Sequence, residues 1–280
     1  MKTVLVHIHV YYTEQWPDLY ARMASFPGMD FDLWVTHCGA DSCFEKQVLS
    51  DAPAAHVLQV ANVGYDIAPF MEVLKLVNLE NYSYCIKLHT KRDIQGDSFL
   101  DKMPFNYGGS RWRDYLVNFC AKENLIKCLH AFENQQDLGM VADYRVICRH
   151  AEMRFVEPLK HIMRRMDLPM HDYAYVMGSM FMCRAELLKP LKRCSFNPED
   201  FPAVDAEHTE NLAHVMERAL GMVVAGQGFR IADVFSSRWE QSAFRRFLLH
   251  CWRFIYSTKR KKKGGRIIKI MKVPVYSSRK

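Results

Sequence analysis

The chain has 280 residues, of which 49% are hydrophobic and 25% charged, a composition typical of a soluble globular protein that buries a substantial core. Nine cysteines without a C-x-x-C pair argue against a disulfide framework and favour a reducing, cytoplasmic compartment. No window supplies the roughly 18 uncharged apolar residues of a spanning helix, and the histidine-interrupted N-terminus is unlike a signal peptide.

The formal charge of +7 is divided unevenly along the chain. Residues 240–280 contain thirteen Lys or Arg and one Glu, a net charge of +12, which leaves −5 for residues 1–239. This division argues against a body that binds nucleic acid. It predicts two domains: a body over residues 1–239 and a separate basic tail over residues 240–280.

Strand and helix patterns alternate along the body. Apolar runs or two-residue spacing of apolar side chains predict strands, and these occur at 3–12, 31–36, 56–60, 84–88, 138–142 and 176–183. Three- and four-residue spacing of apolar side chains predicts helices. One follows Thr13, and the others lie at 69–78, 111–129, 155–166 and 209–220. The alternation predicts an α/β fold with a mostly parallel sheet flanked by helices.

Polar residues cluster where two consecutive predicted strands end. The first cluster lies between a strand and the helix that Pro69 opens, and the second ends the next strand. Their members are Asn62, Gly64 and Asp66, and then His89, Thr90 and Lys91. Asn, Gly and Asp are ordinary loop residues, and each member of the clusters taken alone has a structural explanation. Because ligands of open α/β sheets bind outside the carboxyl ends of the strands, the two clusters together predict a ligand site.

Two histidines of the first strand could bind a metal ion. His7 and His9 point the same way from one strand, and imidazole is a common Zn²⁺ ligand. Because the pair lies in the middle of an apolar strand, a packed and hydrogen-bonded core pair is the alternative. The D-x-D motif at Asp30 and Asp32 precedes an apolar strand, and it indicates the start of that strand rather than a metal site.

Two further patterns carry charge at helical spacing. His214, Glu217 and Arg218 can share one face of a helix, which could hold a general base or an ion-pair network. Arg113 follows two glycines and could clamp an anion through its guanidinium, although a solvated helix start is the simpler interpretation.

Six segments resemble the rhamnan synthesis protein F family. They are V-H-I-H-V-Y-Y at 6–12, F-D-L-W-V-T at 31–36, N-V-G-Y-D-I-A-P-F at 62–70, K-L-H-T-K-R at 87–92, G-S-M-F-M-C-R at 178–184 and L-A-H-V-M-E-R at 212–218. The resemblance covers about residues 3–235. The chain departs from the family at Tyr65, where Arg is usual, and at residues 206–209, where D-G-T is usual.

The resemblance implies a hexosyltransferase with a single GT-A-like domain that builds bacterial rhamnan, O-antigen lipopolysaccharide or capsule. It implies a nucleotide-sugar donor, for which rhamnose is one candidate sugar, and a lipid-linked glycan acceptor. Donor binding is assigned to His7, His9, Asn62, Gly64, Asp66, His89, Thr90, Lys91, Arg113, Gly178 and Arg218. Deprotonation of the acceptor hydroxyl is assigned to Asp205, Glu207, His214 and Glu217.

The resemblance also bears on cofactors. GT-A folds hold a divalent metal on the diphosphate with a D-x-D after the fourth strand, and His89, Thr90 and Lys91 take that place here. An ammonium group can neutralise a leaving diphosphate as a point charge. We therefore expect Lys91, with Arg113 or Arg218, to do part of the work of a metal. No cofactor is then required, and Mn²⁺ or Mg²⁺ is the alternative.

Two other classes of function fit the same residues. One is a metal-dependent hydrolase with His7, His9, His89 and His214 as ligands. The other is a non-catalytic domain that binds a glycan carrier or a partner transferase.

The tail predicts an amphipathic helix that associates with membranes. Its apolar residues recur at three and four; they are Phe244, Phe247, Leu248, Cys251, Trp252 and Ile255. A basic run follows at 259–263, and residues 266–272 repeat the mixed pattern. A helix docked on the body is the alternative. The stripe and its charge predict peripheral binding to the anionic inner face of the cytoplasmic membrane.

Overall fold

The structure is a computed structural model that describes residues 3–24, 30–39, 42–93, 110–170, 173–201 and 211–242, the single residues 244 and 248, and the backbone of 256–260, 266–270 and 273–277. The chain divides into two compact units. The first consists of Met1–Lys91 and Leu116–Phe235, and the second of Arg92–Tyr115 and Ser236–Lys280.

Strands and helices alternate along the first unit. Its strands are β1 (Thr3–Val10), β2 (Phe31–His37), β3 (His56–Gln59), β4 (Tyr82–His89), β5 (Leu138–Val141), β6 (Ile147–Cys148), β7 (Tyr175–Val176), β8 (Phe181–Arg184) and β9 (Arg230–Ala232). The α-helices within the described residues are α1 (Trp16–Ala24), α2 (Ser42–Asp51), α3 (Ile67–Leu76), α4 (Arg111–Val117), α5 (Lys122–Asn134), α6 (Met153–Arg165), α7 (Lys189–Cys194), α8 (Leu212–Gly226) and α9 (Arg238–Gln241).

A seven-stranded sheet in the order β3-β2-β1-β4-β8-β5-β9 forms the centre of the first unit. Neighbouring strands are parallel except where β8 pairs with β4 and β5. The six parallel strands therefore end at one edge of the sheet, which we call the carboxyl rim. Because β8 runs the opposite way, the turn that precedes it also lies at this rim. The predicted α/β fold with a mostly parallel sheet is confirmed.

The core explains why β1 is almost wholly apolar. Val4, Val6 and Ile8 are buried on one face of β1, and Leu5 and His7 are buried on the other. A central strand covered on both faces reads as a continuous hydrophobic run. Helix α3 packs against β1, and α8 packs against β5, β7 and α6.

Several predicted boundaries differ from the structure for local reasons. Strand β1 ends at Val10 instead of residue 12, because the next two backbone amides donate to the Thr90 hydroxyl. The predicted strand 176–183 is two strands, since Gly178 and Ser179 both have positive φ. Helix α8 begins at Leu212 instead of residue 209, where the Asn211 side chain accepts the His214 amide proton as an N-cap. Helices α2, α7 and α9 and strands β6 and β9 were not predicted.

The tail contains strands where a helix was expected. Residues Tyr256–Arg260 (β10), Arg266–Ile270 (β11) and Val273–Ser277 (β12) form an antiparallel sheet in that order. The helical prediction is therefore wrong over these three segments, where β-branched residues favour paired strands.

Only part of the predicted membrane helix lies within the described residues. Phe244 and Leu248 have helical backbone, and the rest of 243–255 lies outside the described residues. Across the part of the chain that the structure describes, no helix is both long and apolar enough to cross a membrane.

Candidate functional site

A buried ammonium group lies beneath the carboxyl rim. Lys87 of β4 is 0% exposed. Its Nζ donates to Asp66 Oδ2, to Ser179 Oγ at 3.1 Å and to the Ser179 carbonyl oxygen at 3.2 Å. Three acceptors use the three protons that an ammonium group carries. The sequence prediction missed Lys87, and the available signal was a lysine inside an apolar strand, since lysine is almost never fully buried without a partner.

Asp66 immediately precedes α3, and its side chain turns inward. It does not cap the helix; instead Lys87 and the Ser179 hydroxyl both donate to its Oδ2 atom. Burial opposes ionisation of this carboxyl, but the charges of His89 and Lys87 and the donated hydrogen bonds outweigh that effect and hold its pKa well below the usual range. The structure thus places a permanent ion pair at the predicted ligand site.

His89 ends β4 and lies against the same pair. Its Nε2 is 2.8 Å from the Gly178 carbonyl oxygen and 3.8 Å from Asp66 Oδ1, and its Nδ1 is 3.0 Å from the Thr90 carbonyl oxygen. The residue is only 4% exposed. Burial lowers the pKa of His89 to about 4, so that the ring is neutral at pH 7.

The turn between β7 and β8 joins this cluster to α8. Gly178 donates its amide proton to Glu217 Oε1 at 2.6 Å, while its carbonyl oxygen faces His89. Ser179, at φ +49°, adopts a left-handed conformation that is uncommon for a residue with a Cβ atom. Both backbone polar groups of Gly178 are therefore held by side chains from opposite sides of the turn.

The predicted face of α8 is an ion-pair network that reaches the rim. The Arg218 guanidinium lies between the rings of Phe155 and Tyr175, with centroid distances of 3.7 and 4.8 Å. It donates to Glu152 Oε1 and, at 3.3 Å, to Glu217 Oε2. Burial raises the pKa of Glu217, although Arg218 opposes this. Arg218 therefore holds Glu217 against Gly178.

His214 lies one turn earlier on α8. Its Nδ1 is 2.9 Å from Asn211 Oδ1, and its ring meets Tyr65 edge-on at 5.5 Å. Tyr65 directly precedes Asp66 and adopts a left-handed φ of +54°. The two aromatic rings therefore bring the start of α8 beside the loop that leads into α3.

Lys91 is fixed by its backbone while its ammonium group lies apart. The Gln15 side chain bonds both the Lys91 amide, at 3.0 Å, and the Lys91 carbonyl oxygen, at 3.1 Å. The ammonium group has no ion-pair partner among the residues that the structure describes. Its charge lowers the pKa of His89 and of Glu217, which places it within electrostatic reach of both. The Thr90 hydroxyl, by contrast, accepts hydrogen bonds from the two backbone amides that follow β1.

The two histidines of β1 form the packed core pair. His7 Nε2 and His9 Nδ1 lie 2.9 and 3.0 Å from the same hydroxyl, that of Thr36. Burial lowers the pKa of His9 to about 3 and that of His7 well below its ordinary value. Within the described ranges, no three His, Cys, Asp or Glu side chains are grouped to hold a metal ion. The ligand set expected for a hydrolase, His7, His9, His89 and His214, is therefore not assembled as a metal site.

The remaining predicted residues have different positions. Asn62 is exposed beyond the end of β3. Gly64 is structural, since a Cβ atom there would lie 2.8 Å from Ala68 and from the Phe201 ring. Arg113 belongs to the second unit, where it lies 3.8 Å from Asp93. Asp205 and Glu207 lie outside the described residues.

Comparison with solved structures gives weak likenesses. TarS 1-349 from S. aureus matches with a TM-score of 0.43 and 13% identity, over 84% of this chain and 58% of that one. Glucosyl-3-phosphoglycerate synthase from Mycobacterium tuberculosis, in complex with Mn²⁺, UDP and glucosyl-3-phosphoglycerate, matches with a TM-score of 0.38 and 9% identity, over 99% and 89%. Both TM-scores are too low to establish a shared fold.

Comparison of sequences is more informative. Uncharacterized protein WxcX, from two strains of Xanthomonas campestris pv. campestris, is 27% identical over 185 residues, which are 64% of this chain and 25% of the relative. The chain thus spans about a quarter of the length of the curated relatives it matches. The family model described as rhamnan synthesis protein F matches residues 1–229. This match includes every element from β1 to α8, and the chain belongs to the rhamnan synthesis protein F family.

Proposed function

We propose that the protein is a glycosyltransferase of the GT-A type that moves a hexosyl group, such as rhamnosyl, from a nucleotide-sugar donor to a growing, lipid-linked bacterial surface polysaccharide. The observation that carries the proposal is the cluster of the Asp66–Lys87 ion pair and His89 at the carboxyl rim of a chain of this family. The carboxyl rim is where open α/β sheets bind ligands. The Lys91 ammonium group adds a cation without an ion-pair partner among the described residues.

The chemistry needs a base and a stabilised leaving group. The acceptor hydroxyl oxygen attacks the anomeric carbon of the donor and gives its proton to a carboxylate, while the bond to the diphosphate breaks and the diphosphate leaves with the electron pair. We assign the base to Glu217, whose pKa is raised by burial. Asp205 and Glu207 are the alternatives. Lys91 neutralises the leaving diphosphate.

A binding screen tests the proposal. The protein is heated with a panel that contains dTDP-rhamnose, GDP-mannose and UDP-glucose, and its melting temperature is recorded for each. A donor present at about 100 times its Kd should stabilise the protein by roughly 2.7 kcal/mol. The absence of a shift with every nucleotide sugar, together with no release of sugar from any of them, would contradict the proposal.

Lys91→Ala should lower the rate of transfer by about 10²- to 10³-fold, as the loss of a preorganised charge at a developing anion does in other enzymes. The melting temperature should stay nearly unchanged, because the Lys91 ammonium group has no ion-pair partner among the described residues. Lys46→Ala, at an exposed position of α2, is the matched control. Equal turnover of the two variants would remove Lys91 from the mechanism.

Transfer should persist in EDTA, because this proposal assigns the neutralising charge to side chains of the chain itself. The measurement is the rate of sugar transfer in EDTA and again after a divalent metal is added back. The glucosyl-3-phosphoglycerate synthase structure contains Mn²⁺ and UDP, which is an observation about that protein. Activity lost in EDTA and restored by Mn²⁺ or Mg²⁺ would overturn the prediction.

We propose further that the tail holds the protein at the inner face of the cytoplasmic membrane. Trp239 and Phe244 are 56% and 59% exposed, with ring centroids 5.9 Å apart, and Leu248 is 43% exposed. Exposed aromatic side chains beside a net charge of +12 suit the interface of an anionic membrane. Such a place brings the enzyme to an acceptor that hangs from a lipid carrier.

Replacing Phe244 and Leu248 together with serine should weaken binding to anionic vesicles by roughly 10- to 100-fold, since each buried apolar side chain adds favourable transfer free energy. Co-sedimentation with phosphatidylserine-containing vesicles measures this. Met153→Ser is the control, because Met153 is 83% exposed on α6 outside the tail. Equal binding by both proteins would refute the anchor.

A further inference from the structure

The surroundings of His89 do not match a neutral imidazole. A neutral ring has one N–H donor and one nitrogen lone pair. Both ring nitrogens of His89 instead face carbonyl oxygens, of Gly178 at 2.8 Å and of Thr90 at 3.0 Å. Whichever tautomer is present, one lone pair therefore points at an acceptor. Only the doubly protonated ring can donate to both oxygens.

Opposing effects act on the protonation of His89. Asp66 Oδ1, at 3.8 Å, favours the protonated ring, whereas burial and the Lys87 and Lys91 ammonium groups oppose it. Lys87 and Asp66 already neutralise each other, so that the resting cluster has little net charge. The titratable and charged groups that face His89 come from four places: Asp66 before α3, Lys87 of β4 and Lys91 after it, His7 and His9 of β1, and Glu217 of α8 through Gly178.

A negative ligand at the rim would shift this balance. A diphosphate that binds beside Lys91 offsets the charge that opposes protonation of His89, and it adds a second anion in favour of it. No rearrangement is needed, since both carbonyl oxygens are already at hydrogen-bond distance. The proton comes from solvent and goes to the imidazole nitrogen that lacks one.

We propose that His89 takes up a proton when the diphosphate of the donor binds, so that the site gains one positive charge at the moment it receives an anion. This inference rests on the proposed function, because it takes the ligand to be a nucleoside diphosphate sugar. It gives His89 a role distinct from the one assigned to Lys91, because the positive charge of His89 appears only in the complex.

Calorimetry in two buffers measures proton uptake directly. Donor is titrated into the full-length protein near pH 5.5 in buffers of different ionisation enthalpy, and the difference in heat gives the number of protons bound. The probes are dTDP-rhamnose, GDP-mannose and UDP-glucose, whose diphosphates are esterified at both ends and do not themselves titrate in this range. We expect about 0.5 to 1 proton per bound donor, and an affinity that strengthens by up to about tenfold per unit decrease in pH.

Two variants assign the proton to a residue. His89→Gln should bind the donor without proton uptake, because an amide can donate to one carbonyl oxygen but does not titrate. Glu217→Gln should retain the uptake, which separates His89 from the half-buried Glu217 carboxyl, whose protonation an anion would also favour. If His89→Gln does not fold, the ring nitrogen signals of ¹⁵N-histidine-labelled wild-type protein, with and without donor, report the same event.

The outcomes separate this inference from the proposed function. Binding with equal heats in both buffers would overturn the role of His89 and leave the glycosyltransferase proposal intact. Uptake that is lost in Glu217→Gln and kept in His89→Gln would also overturn it. Binding of none of the three donors would overturn both proposals together.

Discussion

Replacing Lys87 with methionine should lower the free energy of unfolding by about 3–5 kcal/mol, the usual cost of removing one partner of a buried ion pair. The substitution leaves the Asp66 carboxylate beneath the rim without its counter-charge, although the methionine side chain fills nearly the same space. Chemical denaturation in urea measures the change. The double variant Lys87→Met with Asp66→Asn should recover part of the loss, since no buried charge then remains unpaired.

A second lysine that also donates to a carboxylate provides the control. Lys75 of α3 also donates to a carboxylate, that of Glu72 at 2.6 Å, but both side chains are more than a quarter exposed. Lys75→Met should therefore cost at most about 1 kcal/mol. If Lys87→Met is as stable as Lys75→Met, the buried pair does not hold the rim together.

Acidification below pH 6.5 should destabilise the protein steeply. Three histidines, His7, His9 and His89, are buried and neutral, with the pKa lowered to about 3 for His9 and about 4 for His89 from an ordinary value of 6.5. As the pH falls below 6.5, the unfolded chain takes up a proton on each ring while the folded chain does not. The stability is thus fully present above pH 6.5 and is lost as the pH falls towards 4.

The expected slope is large because the three sites add. Each contributes about 1.4 kcal/mol per pH unit, so that together they remove roughly 4 kcal/mol per unit. Urea denaturation at about pH 7.5, 6.5 and 5.5 checks this. His9→Gln should reduce the slope by about one third, whereas His161→Gln, at an exposed position of α6, should leave it unchanged. A stability that is flat from pH 6.5 to 5.5 would contradict the neutral buried state.

The parallel half of the sheet could be predicted because strands that are buried on both faces appear in the sequence as continuous apolar runs. Strands β1 and β4 read as apolar runs, and the polar residues that follow β3 and β4 lie at the carboxyl rim. The direction of β8 could not be predicted, since strand spacing is the same for parallel and antiparallel neighbours. Residues 176–183 were therefore predicted as a single strand, without the turn at Gly178 and Ser179.

The details of the site depend on contacts between distant segments. Arg218 could be placed on a helix face by its spacing, but its position between Phe155 and Tyr175 requires the packing of α6 against α8. In the same way, the burial of Lys87 can be explained only when Ser179 is beside it and accepts two of its hydrogen bonds. The three strand segments of the tail were mispredicted because mixed basic and apolar residues suit a strand as well as a helix.

The antiparallel insertion of β8 has a consequence for the order of folding. Ser179 is separated from Lys87 by 92 residues in the chain and from Asp66 by 113. During synthesis, the lysine and the aspartate leave the ribosome long before the serine that completes their hydrogen bonds. Contacts of such long sequence separation form slowly because a large loop must close first. Assembly of the rim is therefore a late event, and nascent chains that end before β8 carry an incomplete ion-pair site.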